Sequence, residues 1–243
     1  MSLVVELCGL PGAGKSYLAR EVVASAIEVD VAVRLPTTAI GPDVASARRI
    51  GRKLSLVTGE TLRRPVASAG SMRRIVGSGQ GGVGPVASRW VQWAATQRLM
   101  ALARSTPGVH LFDEGVTQAL WSLGLRGDPS TTLAALRQTG GRWSHPDLII
   151  ALDPPIEVIE DRLSQRRSRH SRLQELADAG VRRAELSRGR ELLGRLLDWW
   201  VEVLPSEVSV VRLGEGPGAS RLGGASVLAA IEARLHPSGI EIG

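Results

Sequence analysis

One cysteine, one phenylalanine, one tyrosine and two lysines are all that the 243 residues contain of these types. The lone Cys8 can form no intrachain disulfide and fits a reducing compartment, as a small buried hydrophobe at the end of a strand. His110, His145, His170 and His236 are scattered, so no cysteine–histidine spacing of a metal site is present. No apolar run approaches the roughly 20 residues of a membrane-spanning helix. An apolar strand begins at once and a charged loop follows, unlike a secretion signal. The expectation is a cytoplasmic protein with no membrane partner. Acidic residues are outnumbered, 24 against 30 basic ones, for a net charge of +6. That excess favours acidic partners: nucleotides, phosphorylated metabolites or nucleic acid. It is carried almost wholly by arginine, so the two lysines, Lys15 and Lys53, stand out as places where a compact point charge is wanted.

Lys15 lies in GLPGAGKS, residues 9–16. Before it, LVVELC (3–8) is a short β-branched apolar run bounded by glycine and reads as a buried strand. After it, residues 16–26 read as a helix with Leu18, Val22, Val23 and Ala26 on one face. Gly9-x-x-x-x-Gly14-Lys15-Ser16 between strand and helix is the phosphate-loop pattern in the setting it requires. At average composition such a match arises at roughly one position in tens of thousands. Glycines let backbone N–H groups converge without Cβ clashes, and together with the helix N-terminus they make an anion site. Gly9, Leu10, Pro11, Gly12, Ala13, Gly14, Lys15, Ser16 and Tyr17 are the candidate ATP-binding stretch. Lys15 would reach the β and γ phosphates, and the Ser16 hydroxyl would bind Mg²⁺.

Further strands are expected at 29–36, 109–115, 147–153 and 207–213. Helices are expected over 43–56, 61–77, 88–105, from 117 to about 139 with an interruption near 124–129, over 155–165, up to about 203, and over 225–235. Residues 78–85 (SGQGGVGP) and 214–224 read as loops. Trp90, Trp93, Leu99 and Leu102 are candidates for the buried face of the 88–105 helix. Trp90 and Trp93 could instead flank a base. Strands alternating with helices imply a parallel sheet with ligands at its carboxyl edge.

A phosphate loop needs an acid near its metal. VHLFDEG (109–115) offers Asp113 as a Mg²⁺ ligand through water, paired with Ser16. Glu114 beside it would polarise the attacking group, or one of the two acids would act as general base. The same pair could merely cap the next helix. Asp153 is the weaker alternative and reads better as a turn residue before Pro154-Pro155. Arginines crowd 162–172 (Arg162, Arg166, Arg167, Arg169, Arg172) and recur at Arg182, Arg183, Arg188 and Arg190. Arginine forks stabilise the charge of a phosphoryl group in transfer, and a closing segment would exclude water. A second basic set, Arg48, Arg49, Arg52, Lys53, Arg63, Arg64, Arg73 and Arg74, is opposed across 48–74 only by Glu60. It suggests an acceptor that already carries phosphate, or a solvated helix face.

Three stretches, GLPGAGKS (9–16), LFDEG (111–115) and PDLIIALDPPIEVIEDRLSQRR (146–167), resemble the P-loop kinases of nucleosides, nucleotides and other small molecules, the thymidylate- and adenylate-kinase-like group. The resemblance implies a single three-layer α/β domain over residues 1–243, with a five-stranded parallel sheet in the order 2-3-1-4-5. It implies an acceptor-binding insert at about 40–85 and an arginine-bearing lid at about 164–185. Lys15 would contact the transferred phosphoryl, Ser16 would hold Mg²⁺, and Arg162, Arg166 and Arg167 would be lid arginines. ATP, a small-molecule acceptor and a homodimer belong to the same implication. The chain departs from the pattern in two places. Glu114 and Gly115 follow Asp113 where family members often have arginine, and LPTTAIGP after the second strand carries no acid before Asp43. An adjacent acidic pair also suits activation of water. An ATP-hydrolysing switch that acts with a protein or nucleic-acid partner is therefore the second reading, as is a polynucleotide 5′-kinase, though no nucleic-acid motif is present.

Overall fold

The structure, a computed structural model, describes residues 1–41, 44–80, 82–126, 143–165, 178–204, 206–214 and 223–235. The sheet runs β1 (Ser2–Gly9), β2 (Val33–Arg34), β3 (Gly108–Phe112), β4 (Leu148–Leu152) and β5 (Ser209–Leu213). All its pairings are parallel and the order is β2-β3-β1-β4-β5. This is a three-layer α/β fold, with the parallel sheet expected from the alternation of strands and helices and the strand order that the family resemblance implies. The helices are α1 (Lys15–Glu28), α2 (Ser46–Arg63), α3 (Pro65–Gly77), α4 (Val83–Arg104), α5 (Val116–Arg126), α6 (Ile156–Gln165), α7 (Ala179–Val203) and α8 (Gly224–Leu235).

The central strand is buried on both faces, as a parallel sheet requires. Leu3, Val5 and Leu7 of β1 pack with Leu18, Ala19 and Val22 of α1 and Val227 and Ile231 of α8. Val4 and Cys8 point the other way, into the core formed with α4, α5, α6 and α7. Burial pushes the Cys8 thiol up, which leaves it an inert protonated hydrophobe.

Several boundaries differ from the sequence reading. Only Val33 and Arg34 of the expected 29–36 strand pair with a neighbour. β2 is an edge strand, and Pro36, which cannot donate to a ladder, opens a short 3-10 helix over Pro36–Ile40 instead of a loop. Helix α4 begins at Val83, inside the stretch read as a loop. Pro85 falls in its first turn, where the missing N–H costs nothing. Trp93 and Leu99 are buried on α4, while Leu102 stays 40% exposed. Val23 of α1 is only half-buried, and Ala19 takes its place in the core. The expected continuation of α5 to about 139 and the loop at 215–222 lie outside the described residues.

Parallel pairing puts the ends of β1, β2, β3, β4 and β5 on one edge. Because β1 lies between β3 and β4, the loop after Gly9 is flanked by the residues that follow Phe112 and Leu152.

Candidate functional site

Residues 10–14 turn sharply between β1 and α1. The amide of Ala13 donates to the Leu10 carbonyl at 3.0 Å, and Leu18 N–H closes the first helical bond to the Gly14 carbonyl at 2.9 Å. Gly14 precedes α1 with φ +103°, in the left-handed region. A Cβ there would also come within 3.3 Å of Arg162 Nη1. Both facts call for glycine. No side chain caps the N-terminus of α1, so its first amides face the loop as an anion site. Lys15 Nζ donates to the carbonyls of Gly9 at 2.7 Å and Leu10 at 3.3 Å, which folds its charge over the loop. Tyr17 is 64% exposed, and its phenol engages Glu21, which raises its pKa.

Across the loop the end of β3 delivers Asp113. Its Oδ2 accepts from Ser16 Oγ at 3.0 Å and its Oδ1 from Thr37 Oγ1 at 2.5 Å. A hydroxyl and a carboxylate held together at the start of α1 are hard oxygen donors of the kind Mg²⁺ takes, and the donor set fits that ion. Thr37 was not read from the sequence as a site residue. The stretch LPTTAIGP carries no acid, and what it contributes is the hydroxyl that reaches the aspartate. A hydroxyl pair just past the proline that ends an edge strand was the signal that could have found it.

Glu114 follows Asp113 and remains open to water on one side. The protein around it raises its carboxyl pKa, Lys15 and Lys53 act against that rise, and Asp113 adds to it. The same charges place Lys53 of α2 within electrostatic reach of the site, with its Nζ donating to Gln92 of α4 at 3.1 Å. Among the other basic residues of 48–74, Arg63 and Arg64 act with Arg98 on the buried Glu60. Part of that charge is therefore turned inward. Trp93 packs edge-on against Trp143 at 4.9 Å, a core contact and not a face open to a base.

The arginines divide. Arg162 of α6 donates to the Ala13 carbonyl at 3.0 Å and so touches the loop. Arg166, Arg167, Arg169 and Arg172 lie outside the described residues. Arg183 pairs with Glu157 and, at 3.6 Å, with Glu160, and Arg188 approaches Glu185 at 4.0 Å. Arg190 Nε lies 2.7 Å from Asp153 Oδ1. Asp153 is thus tied between β4 and α7, the turn role read from its place before Pro154, while Asp113 is the acid that meets Ser16. A cleft of about 410 Å³ opens beside Asp153, Glu157, Arg183, Arg190 and Gly214, and no residue of the phosphate loop lines it.

Glu6 was also missed. It is fully buried in β1, and burial lifts its carboxyl to about 7 against the downward pull of backbone and side-chain donors from Val116, Thr117 and Gln118. The signal was a charged residue in the middle of an otherwise apolar central strand.

No family model matches the chain, and no curated protein sequence does. Among solved structures, it is similar to deoxyadenosine kinase from M. mycoides in three forms. The form with products dCMP and a flexible dCDP bound is 12% identical, with a TM-score of 0.49 over 97% of this chain and 100% of that one. The form with bound dCTP is 11% identical, with a TM-score of 0.46 over 97% and 100%. The form with bound dATP is 13% identical, with a TM-score of 0.48 over 96% and 100%. At this level the likeness is one of chain course and not of substrate.

Proposed function

We propose that this protein is an ATP-dependent phosphotransferase that moves the γ-phosphoryl of Mg-ATP to a small, nucleotide-like or phosphorylated acceptor. The observation that carries this is the 3.0 Å contact of Ser16 Oγ with Asp113 Oδ2, beside a lysine-bearing phosphate loop. In this reading the loop amides and the N-terminus of α1 bind the phosphates. Lys15 leaves the Gly9 and Leu10 carbonyls to neutralise the transferred group. Ser16 and Asp113 hold Mg²⁺, which would supply charge neutralisation across the β and γ phosphates. Thr37 fixes the orientation of Asp113. Glu114, its proton affinity raised, takes the proton of the acceptor hydroxyl. Arg162, with Arg166 and Arg167 in a lid at about 164–185, stabilises the charge spread over the oxygens in flight. The region at about 40–85, with Lys53 facing the site, receives the acceptor.

The Asp113–Glu114 pair would equally activate water in an ATP-hydrolysing switch, and dependence of turnover on an acceptor separates the two. The test of the site itself is a pair of substitutions. Asp113→Asn should raise the Mg²⁺ concentration needed for half-maximal ATP turnover by about tenfold. Asp153→Asn should leave that requirement unchanged. The reverse pattern would show that the metal-side acid follows β4 and not β3.

A further inference from the structure

We propose that Glu6 is a positioning residue for this site. Its buried carboxylate accepts from the first turn of α5 and thereby fixes the Asp113–Glu114–Gly115 turn against the phosphate loop. The inference rests on the reading of Asp113 as the metal-side acid.

Three donors converge on the carboxylate. Thr117 N–H and Thr117 Oγ1 each lie 3.1 Å from Oε2, and Gln118 N–H lies 3.0 Å from Oε1. The threonine hydroxyl, having given its proton to Glu6, accepts from Trp200 Nε1 at 3.1 Å. Both oxygens of Glu6 are therefore used, and every partner is a donor, which favours the carboxylate form against the cost of its burial. These donors are among the amides that a helix leaves unpaired at its start, and an anion there also meets the positive end of the helix. The anion comes from β1, the strand that leads into the phosphate loop. Glu6 pairs in register with Phe112 of β3, the residue just before Asp113.

The turn is fitted to this contact. A Cβ on Gly115 would lie 2.4 Å from Glu6 Cδ, so the backbone passes against the carboxylate with no room for a side chain. From Phe112 to Gln118 the chain is thus held at both ends: by strand pairing and the Ser16 and Thr37 hydroxyls on Asp113, and by Glu6 beneath α5. Two acids on a free turn would wander by more than a metal site tolerates. A helix cap would need one oxygen. Glu6, itself 0% exposed, supplies two from the central strand, where an ionisable group is expensive unless it has a use.

The experiment compares full-length wild type, Glu6→Gln and Thr117→Val. ATP affinity is measured in excess Mg²⁺ and in EDTA, and folding is checked by circular dichroism. In Glu6→Gln an NH₂ group would face a donor, so one contact is lost while volume is kept. The ratio of the two affinities reads the metal-side geometry, which a merely structural role would not move. The expected result is an EDTA affinity unchanged in both variants. The Mg²⁺-dependent tightening should fall about tenfold in Glu6→Gln, with a smaller fall in the same direction in Thr117→Val. A folded Glu6→Gln with the wild-type ratio overturns the proposal. If Glu6→Gln does not fold, a wild-type ratio in Thr117→Val overturns it. A wild-type protein that binds no ATP, or binds it without regard to Mg²⁺, overturns the phosphotransferase reading and this inference with it. That failure is visible in the wild type, whereas failure of the Glu6 assignment alone shows only in the variants.

Discussion

Lys15 is held by two carbonyls of its own loop, at 2.7 and 3.3 Å from Gly9 and Leu10, so its charge is stored where a phosphate would collect it. Lys15→Ala removes that charge without touching the core. ATP turnover should fall by about 10²–10³-fold while the circular dichroism spectrum stays unchanged, and activity that survives would refute the loop assignment. Glu6 makes a different kind of prediction. Its folded pKa is about 7 against the usual 4.5. Between those values the folded chain holds a proton that the unfolded chain has released, so this group's contribution to stability falls as pH rises from about 4.5 to about 7 and is flat above. Urea midpoints measured across pH 4.5–8 should show that component in wild type and lack it in Glu6→Gln. Identical slopes would mean that Glu6 does not titrate there. The raised value is the balance of two opposing causes. Removal from water raises it, the converging donors of Gln118, Thr117 and Val116 lower it, and removal from water wins.

At the scale of elements, the strand–loop–helix outline of β1 and α1 was legible, because its glycines, lysine and serine are chemistry written at fixed spacing, although Val23 was misplaced on the buried face of α1 and the role of Glu6 in β1 went unread. Alternation of strands and helices announced a parallel sheet, while its order, β2-β3-β1-β4-β5, was legible only through the family resemblance. What was not legible depended on which elements become neighbours. β2 lost most of its expected length because it has a partner on one side only, and no local pattern announces an edge. Thr37 and Glu6 gained roles through contacts across 76 and 111 residues of sequence, which no periodicity encodes. The basic set at 48–74 looked like one patch, yet Arg63 and Arg64 act on the buried Glu60 together with Arg98 of another helix. The turn between β3 and α5 is where element and site meet, and it yields a test. Gly115→Ala places a methyl group against the Glu6 carboxylate. It should cost about 1–3 kcal/mol of stability by overpacking. It should also couple to Glu6→Gln, so that the double variant loses less than the sum of the two singles. Additive losses in a double-mutant cycle of denaturation would separate Gly115 from Glu6.

On the scale of the whole molecule, the sheet gathers the ends of β1, β2 and β3 at one edge. The phosphate loop, Thr37 and the Asp113–Glu114 pair therefore converge although they come from the first half of the chain and are separated by four helices. α1 and α8 cover one face of the sheet, and the larger helical layer covers the other. Among the described residues no helix is long and apolar enough to cross a membrane. The net charge of +6 fits a protein that handles phosphate-bearing molecules, but many arginines of α7 are already paired with acids. The acceptor's own charge would thus be met mainly near Lys53 and the exposed arginines of α2. In the proposed reaction a phosphoryl group passes to a small acceptor. Its most direct test is the rate at which purified protein consumes Mg-ATP in the presence of nucleosides, nucleoside monophosphates, sugars, phospho-sugars and 5′-hydroxyl oligonucleotides in turn. Strong stimulation by one small-molecule class, abolished in Lys15→Ala, is the predicted result. Tight ATP binding with no stimulation by any of them would contradict it.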